Sequence, residues 1–262
     1  TEDEAKLKIA VLRIDGPDNL PRAIVAKVTC HPVIMDYANL LFSADLCASM
    51  YTTIEAAHPT AISFYLNGCA GNINPARFPY FKRQNIYIDQ TAENYPVYWG
   101  SFEEAARAGR VLGYEVLRVG EEIAPSADPV RLHGELRTVD VPLKSRSDRE
   151  TFIKFLGIPP HFAEPAMRGD YFTTNVQALA IGAITFVALP GEPFVETGMA
   201  IKERLGGENV IVLGYSNDDV RYILPAAAYQ GDKYETLGTW LSPHAETVLI
   251  DAAVDVARTA MQ

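Results

Sequence analysis

The chain is expected to adopt an α/β fold, a layered α/β/α sandwich with a mixed central sheet. Three observations lead there. Short apolar runs alternate with amphipathic helical stretches in the order β β α β α β α β α β α. Residues 176–194, VQALAIGAITFVALPGEPF, form a nearly unbroken apolar run that ends in a Pro-Gly turn, the pattern of a strand buried on both faces. Residues 101–123 start with Ser101 as a helix cap, carry Glu103 and Glu104 in the first turn, and place Ala105, Val111, Leu112, Val116 and Leu117 on one face, the pattern of a long surface helix.

Taken in order, KIAVLRI (8–14) and RAIVAKVTC (22–30) flank the turn cluster Asp15-Gly16-Pro17-Asp18-Asn19 and predict a β-hairpin. Pro32 cannot donate to a ladder and biases His31 toward an extended conformation, so His31 sits at the exit of the second strand. Ser43 is a candidate N-cap for LCASMYTTIEAA (46–57). AISFYLNG (61–68) reads as a buried strand running into GCAGNINP (68–75). The glycines of that loop permit sharp turns or close backbone approach, and Asn72 and Asn74 offer short amides for a ligand or for the turn itself. Residues 76–100 are rich in aromatic side chains without a clear period, as in a pocket wall, a lid or a partner-binding arm.

Residues 130–143 alternate as an antiparallel-type strand, and RSDRETFIKFLG (146–157) is a short helix. A Pro-rich connection then carries His161. The central run follows. Directly after its Pro-Gly turn comes Glu192, and then FVETGMAIKERL, where Phe194, Val195, Met199, Ile201 and Leu205 share a helical stripe. A carboxylate therefore stands where a strand hands over to a helix. In open α/β sheets ligands gather at such carboxyl ends, although a negative charge also suits the first turn of any helix. NVIVLGYSND (209–218) is a further buried strand, a loop with Tyr222, Tyr229 and Tyr234 comes next, and an amphipathic helix begins near Ser242.

Composition bounds the function. With 262 residues, 48% of them hydrophobic, the chain can bury a sizeable core and is expected to form a single α/β domain over 1–262. No apolar run is long enough to span a bilayer. A net charge of −10 argues against nucleic acid or an anionic membrane surface as the main partner. The opening TEDEAK is charged and polar, unlike a signal peptide, and compartment stays open. Cys30, Cys47 and Cys69 lack CxxC spacing and read as small buried thiols, with a single bridge left open. Four strand-exit elements, His31, the GCAGNINP loop, Glu192 and the loop around Tyr222, offer imidazole, carboxylate and phenol, all competent ligands for zinc. They are too far apart in the chain for a local metal motif.

Five segments, in order, resemble the neutral/alkaline ceramidase family: VTCHPVIM with NLLFSAD, FYLNGCAGNINP, LPGEPFVETG, GYSNDDVRYILPAAAYQGDKYE, and YETLGTWLSPHAETVLID. The resemblance implies zinc-dependent hydrolysis of an amide. Position by position, it implies His31, Glu192 and Tyr222 as zinc ligands, with Tyr222 also in the catalytic centre and Tyr234 bonded to the reacting carbonyl region. Asn72 and Asn74 become substrate-binding candidates. The chain departs from the family at three places. The His-x-His segment expected upstream is absent, so the expected chain is the C-terminal part of a catalytic domain. Its partner is then a second polypeptide carrying the N-terminal part and a further histidine, and without that part the fold is incomplete. Residues 76–100 lack the family's proposed nucleophilic serine, which favours attack by zinc-bound hydroxide. The family's closing sandwich domain is also missing, which favours a small or polar amide over ceramide. The alternative expectation is a non-catalytic ceramidase-like subunit or binding protein in a hetero-oligomer. An N-terminal threonine nucleophile at Thr1 is a further reading.

Overall fold

The structure is a computed structural model that describes residues 8–35, 39–75, 100–124, 126, 129–159, 163, 167–207, 209–230 and 233–262. Thr1, His161 and all but the last residue of the aromatic segment 76–100 lie outside these residues. The architecture is mixed α/β, as the alternating pattern predicts. The chain divides into two compact units, residues 1–67 with 74–128 and residues 68–73 with 129–262.

In the first unit, β1 (Ala10–Asp15) and β2 (Pro21–Val28) form the expected antiparallel hairpin, and β3 (Ile62–Asn67) pairs with β2 in parallel. The turn closes through the Gly16 N–H on the Leu20 carbonyl, with Asn19 at φ 59°, a conformation asparagine tolerates better than most residues. Helices α1 (Asp45–Ala57) and α2 (Phe102–Glu122) pack together. Ile24, Ala26 and Val28 of β2 share a core with Met50, Ile54 and Val116 of these helices. Ser101 caps α2, as read from the sequence, and Glu104 completes a capping box with it.

The start of α1 differs from expectation. Ser43 is not the N-cap; its hydroxyl accepts the Asp45 N–H at 2.9 Å from one residue before the cap position, Ala44. Asp45 takes the left-handed conformation (φ 51°), and its carboxylate accepts the N–H groups of Leu46 at 2.7 Å and Met35 at 2.8 Å. One side chain thus secures both the helix start and the segment that leaves His31.

In the second unit, β4 (Leu132–Pro142), β5 (Tyr171–Ile181), β6 (Ile184–Ala188) and β8 (Val210–Leu213) lie in the order β4-β5-β6-β8. The first three run antiparallel and β6–β8 is parallel, so the sheet is mixed. The run beginning at Val176 is not one strand. It folds back as the β5–β6 hairpin, because Gly182 adopts φ 57° and lets the chain reverse within two residues. Val176, Ala178 and Ala180 alternate inward from β5, and Phe186 and Val187 are buried on β6. Short of its expected length, β8 ends at Leu213, since Tyr215 and Asn217 have positive φ. Helix α3 (Arg146–Leu156) ends at Gly157 in the left-handed conformation. Helix α4 (Val195–Leu205) packs against the final helix α6 (Ala245–Ala260), which crosses β4, β5 and β6. Leu249, Ala253 and Val254 of α6 join Val141, Val187 and Leu189 in a common core. The short helix α5 (Tyr234–Leu237) and the two-residue strands β7 (Glu192–Pro193) and β9 (Tyr222–Ile223) complete this unit.

All three cysteines are free thiols; Cys47 and Cys69 are buried, and burial pushes the Cys30 thiol up to about 12 and that of Cys47 to about 11. Among the described residues, no helix is long and apolar enough to cross a membrane.

A carboxylate–phenol cluster as candidate functional site

The second unit builds its most distinctive polar feature at the end of β6. The chain leaves the strand through Leu189, Pro190 and Gly191, forms β7, and enters α4. Strand β7 pairs in parallel with β9, so that Glu192 lies opposite Tyr222 and Pro193 opposite Ile223. The Glu192 N–H donates to the Arg221 carbonyl at 2.9 Å, and the Phe194 N–H donates to the Ile223 carbonyl at 3.0 Å. A second latch ties in the exit of β8. The Tyr215 N–H donates to the Gly191 carbonyl at 2.7 Å, and the Ser216 N–H donates to that of Leu189 at 3.0 Å. Two loops that are distant in sequence are thereby stitched along their backbones, and this brings their side chains together.

Glycine is required at this crossing. Gly191 has φ 93°, and a Cβ on it would lie 2.4 Å from the Arg221 carbonyl oxygen. A Cβ on Gly214 would press on Pro193, the Gly191 oxygen and the Gly68 oxygen at 2.9–3.2 Å. Tyr215, Asn217 and Arg221, all non-glycine, also have positive φ (51°, 68° and 66°). Such conformations persist only where surrounding contacts over-determine them, and they gather at functional loops.

The side chains form a connected set. Tyr215 and Tyr222 are both hydrogen-bonded to the Glu192 carboxylate, and Tyr234 is hydrogen-bonded to Tyr222. The Tyr222 and Tyr234 rings meet edge to face, with centroids 5.9 Å apart. Gly238 leaves room for Tyr222; a Cβ there would lie 3.0 Å from the ring. The Thr239 hydroxyl fixes the backbone below by donating to the Tyr222 carbonyl at 2.7 Å. Burial raises the Glu192 carboxyl above the usual carboxylate range. The two phenol hydrogen bonds pull against that rise, Asp219 adds to it, and Arg221 lowers it. Burial, with the Glu192 charge beside them, also raises the phenols of Tyr222 and Tyr234. Both therefore keep their protons at neutral pH. Arg221 sits with its guanidinium 5.5 Å from the Trp240 ring centroid, in reach of a cation–π contact.

The Gly/Asn loop serves this cluster as scaffold. The Gly71 N–H donates to the Pro193 carbonyl at 2.9 Å, and a Cβ on Gly71 would lie 2.5 Å from the Glu192 carbonyl oxygen. The close approach read from its glycines is made to β7. Asn72 accepts the Val195 N–H at 3.0 Å through Oδ1 and donates to Glu196 at 2.9 Å through Nδ2. It thus satisfies a free donor in the first turn of α4 from a distant part of the chain. Asn72→Ala is expected to lower stability by about 1 kcal/mol, the usual worth of a helix cap, as measured by denaturant unfolding. A variant with unchanged stability and a weakened substrate affinity would return Asn72 to a binding role.

Of the residues read as site candidates, the structure joins Glu192, Tyr222 and Tyr234 in one hydrogen-bonded set within the second unit. His31, at the exit of β2, and Asn74 belong to the first unit; His31 is 7% exposed and Asn74 is exposed. Tyr215 joins the set without having been singled out, because VIVLGY reads as continuous strand. The glycine before it was the one sign of a turn. Among the described residues, no group of three or more His, Cys, Asp and Glu side chains could hold a metal ion. The oxygen donors in contact here are one carboxylate and the phenols beside it.

The fold and the cluster define a mixed α/β protein with a carboxylate held among phenols at the mouth of a strand. No family model matches the chain. Its fold is that of ceramidases: the chain is similar to the neutral ceramidase of Pseudomonas aeruginosa, with a TM-score of 0.65 and 16% identity over 98% of this chain and 47% of that one. It is similar to the same degree to a ceramidase complexed with C2, with a TM-score of 0.65 and 15% identity over 98% of this chain and 48% of that one. The chain thus spans about half the length of the structures it matches.

Proposed function

We propose that the protein is part of a zinc-dependent hydrolase that cleaves the C–N bond of an amide, a small or polar one rather than ceramide. The observation that supports this most is the register pairing of Glu192 with Tyr222, which brings a carboxylate and a phenol into hydrogen-bond contact at a strand exit. The ceramidase fold and the order of the five resembling segments support the same reading. The donor set fits a cation of this kind: Glu192 supplies carboxylate oxygens, and the Tyr222 oxygen keeps lone pairs while its O–H donates to Glu192. In this reading His31, Glu192 and Tyr222 hold the zinc. On the same reading a second polypeptide contributes a further histidine. The bound ion would lower the pKa of water to roughly 7 and polarise the amide carbonyl.

The chain's own residues supply the rest. Tyr234, kept protonated by burial, donates a hydrogen bond to the carbonyl oxygen, where charge develops as the amide is attacked. Tyr222 and Arg221 moderate the buried charge of Glu192. The test is metal content of the native assembly, followed by turnover of an amide panel that includes ceramide, before and after chelation. Stoichiometric zinc, activity lost to the chelator and activity restored by zinc are expected. A zinc-free, chelator-insensitive protein would instead fit a binding subunit that keeps this fold.

A further inference from the structure

We infer that Tyr215 is a positioning residue that holds the Glu192 carboxylate in its working orientation; its bearing on zinc rests on the reading of Glu192 as a ligand. Three observations carry this. The Tyr215 hydroxyl is bonded to Glu192, as is that of Tyr222, so the carboxylate is held by two phenols from two stretches of chain. The Tyr215 ring is 47% exposed, so hydrophobic packing does not account for a large aromatic at this place. Its backbone adopts φ 51° and is clamped by the 2.7 Å bond to the Gly191 carbonyl, one residue before Glu192. The same short loop therefore fixes the main chain ahead of Glu192 and the side chain of Glu192 itself.

A carboxylate with two oxygens can rotate between a pose that serves a cation and one that does not. Two phenol donors from separate loops restrain that rotation more than one does. Outer partners that orient ligating carboxylates are worth about 10–100-fold in metal affinity or activity. Tyr215 is such a partner by its placement.

The test uses Tyr215→Phe, which deletes one hydroxyl from a half-exposed side chain and leaves the clamped backbone intact. Zinc affinity is read by chelator competition on the full protein, and the Glu192 carboxylate is viewed in metal-free crystals of wild type and variant. Zinc binding about 10–100-fold weaker is expected, together with a Glu192 carboxylate that has turned or split into two conformers. A carboxylate that keeps its wild-type pose overturns the inference. Glu192→Gln is the control for the underlying reading. If that variant binds zinc as tightly as wild type, Glu192 is no ligand, and the metal-free crystals still decide whether Tyr215 positions it.

Discussion

Glu192→Gln is expected to abolish amide hydrolysis, by at least on the order of 100-fold, while leaving the protein folded. The activity loss follows from replacing an anionic ligand with a neutral amide of the same shape at the centre of the phenol cluster. Stability responds in the opposite direction. Burial raises the Glu192 pKa above its ordinary 4.5, so the folded state binds this proton more tightly than the unfolded chain does. Between 4.5 and the raised folded value, stability attributable to this group falls as pH rises, and at neutral pH the charge weighs against folding. A neutral amide removes that cost; its one oxygen still accepts from one phenol, and its NH2 can donate to the oxygen of the other. Thermal unfolding at neutral pH is therefore expected to be unchanged or slightly raised, with turnover lost. An unfolded variant whose residual folded fraction keeps full specific activity would make Glu192 a structural residue.

Gly191→Ala is expected to damage the fold and the site together. The position combines φ 93° with a carbonyl oxygen 2.4 Å from where the new methyl would sit. Left-handed strain and overpacking together cost roughly 2–6 kcal/mol. The atom that must give way is the Arg221 carbonyl, which accepts the Glu192 N–H. Relief therefore separates β7 from β9 and pulls Glu192 from Tyr222. Gly206→Ala is the matched comparison: φ is 76°, but nothing lies within 4 Å of the new Cβ. It is expected to cost about 1 kcal/mol from strain alone, with zinc affinity intact. Denaturant unfolding of both variants separates the two contributions. Equal losses at positions 191 and 206 would mean that the crossing of β7 and β9 is not tightly constrained.

The parts of this protein that follow local rules were legible in the sequence. The Ser101 cap of α2, the opening hairpin and the Pro-Gly-Glu handover into α4 all rest on residues within a few positions of one another. What escaped was non-local. Nothing in the pattern of residues 189–193 says that they will pair with residues 222–223, because a two-residue parallel ladder leaves no periodic trace. The closeness of Glu192 and Tyr222 came through family resemblance and not through spacing. Asn72 caps a helix more than a hundred residues further along, which no local cap motif can signal. Tyr215 was hidden for a different reason. Aromatic residues favour strands, so a tyrosine after VIVLG extends a strand by propensity, while the backbone latch to Gly191 overrides that preference. The hairpin at Gly182 had a visible glycine, but the apolar residues on both sides masked it.

The proposed zinc reading has Glu192 and Tyr222, with His31, hold one cation. A zinc-soaked crystal measured on both sides of the zinc absorption edge tests it directly. The account predicts one strong anomalous peak within coordination distance of a Glu192 carboxylate oxygen, the Tyr222 phenol oxygen and a ring nitrogen of His31. A map with no peak at Glu192, or with zinc bound only elsewhere on the protein, would contradict it.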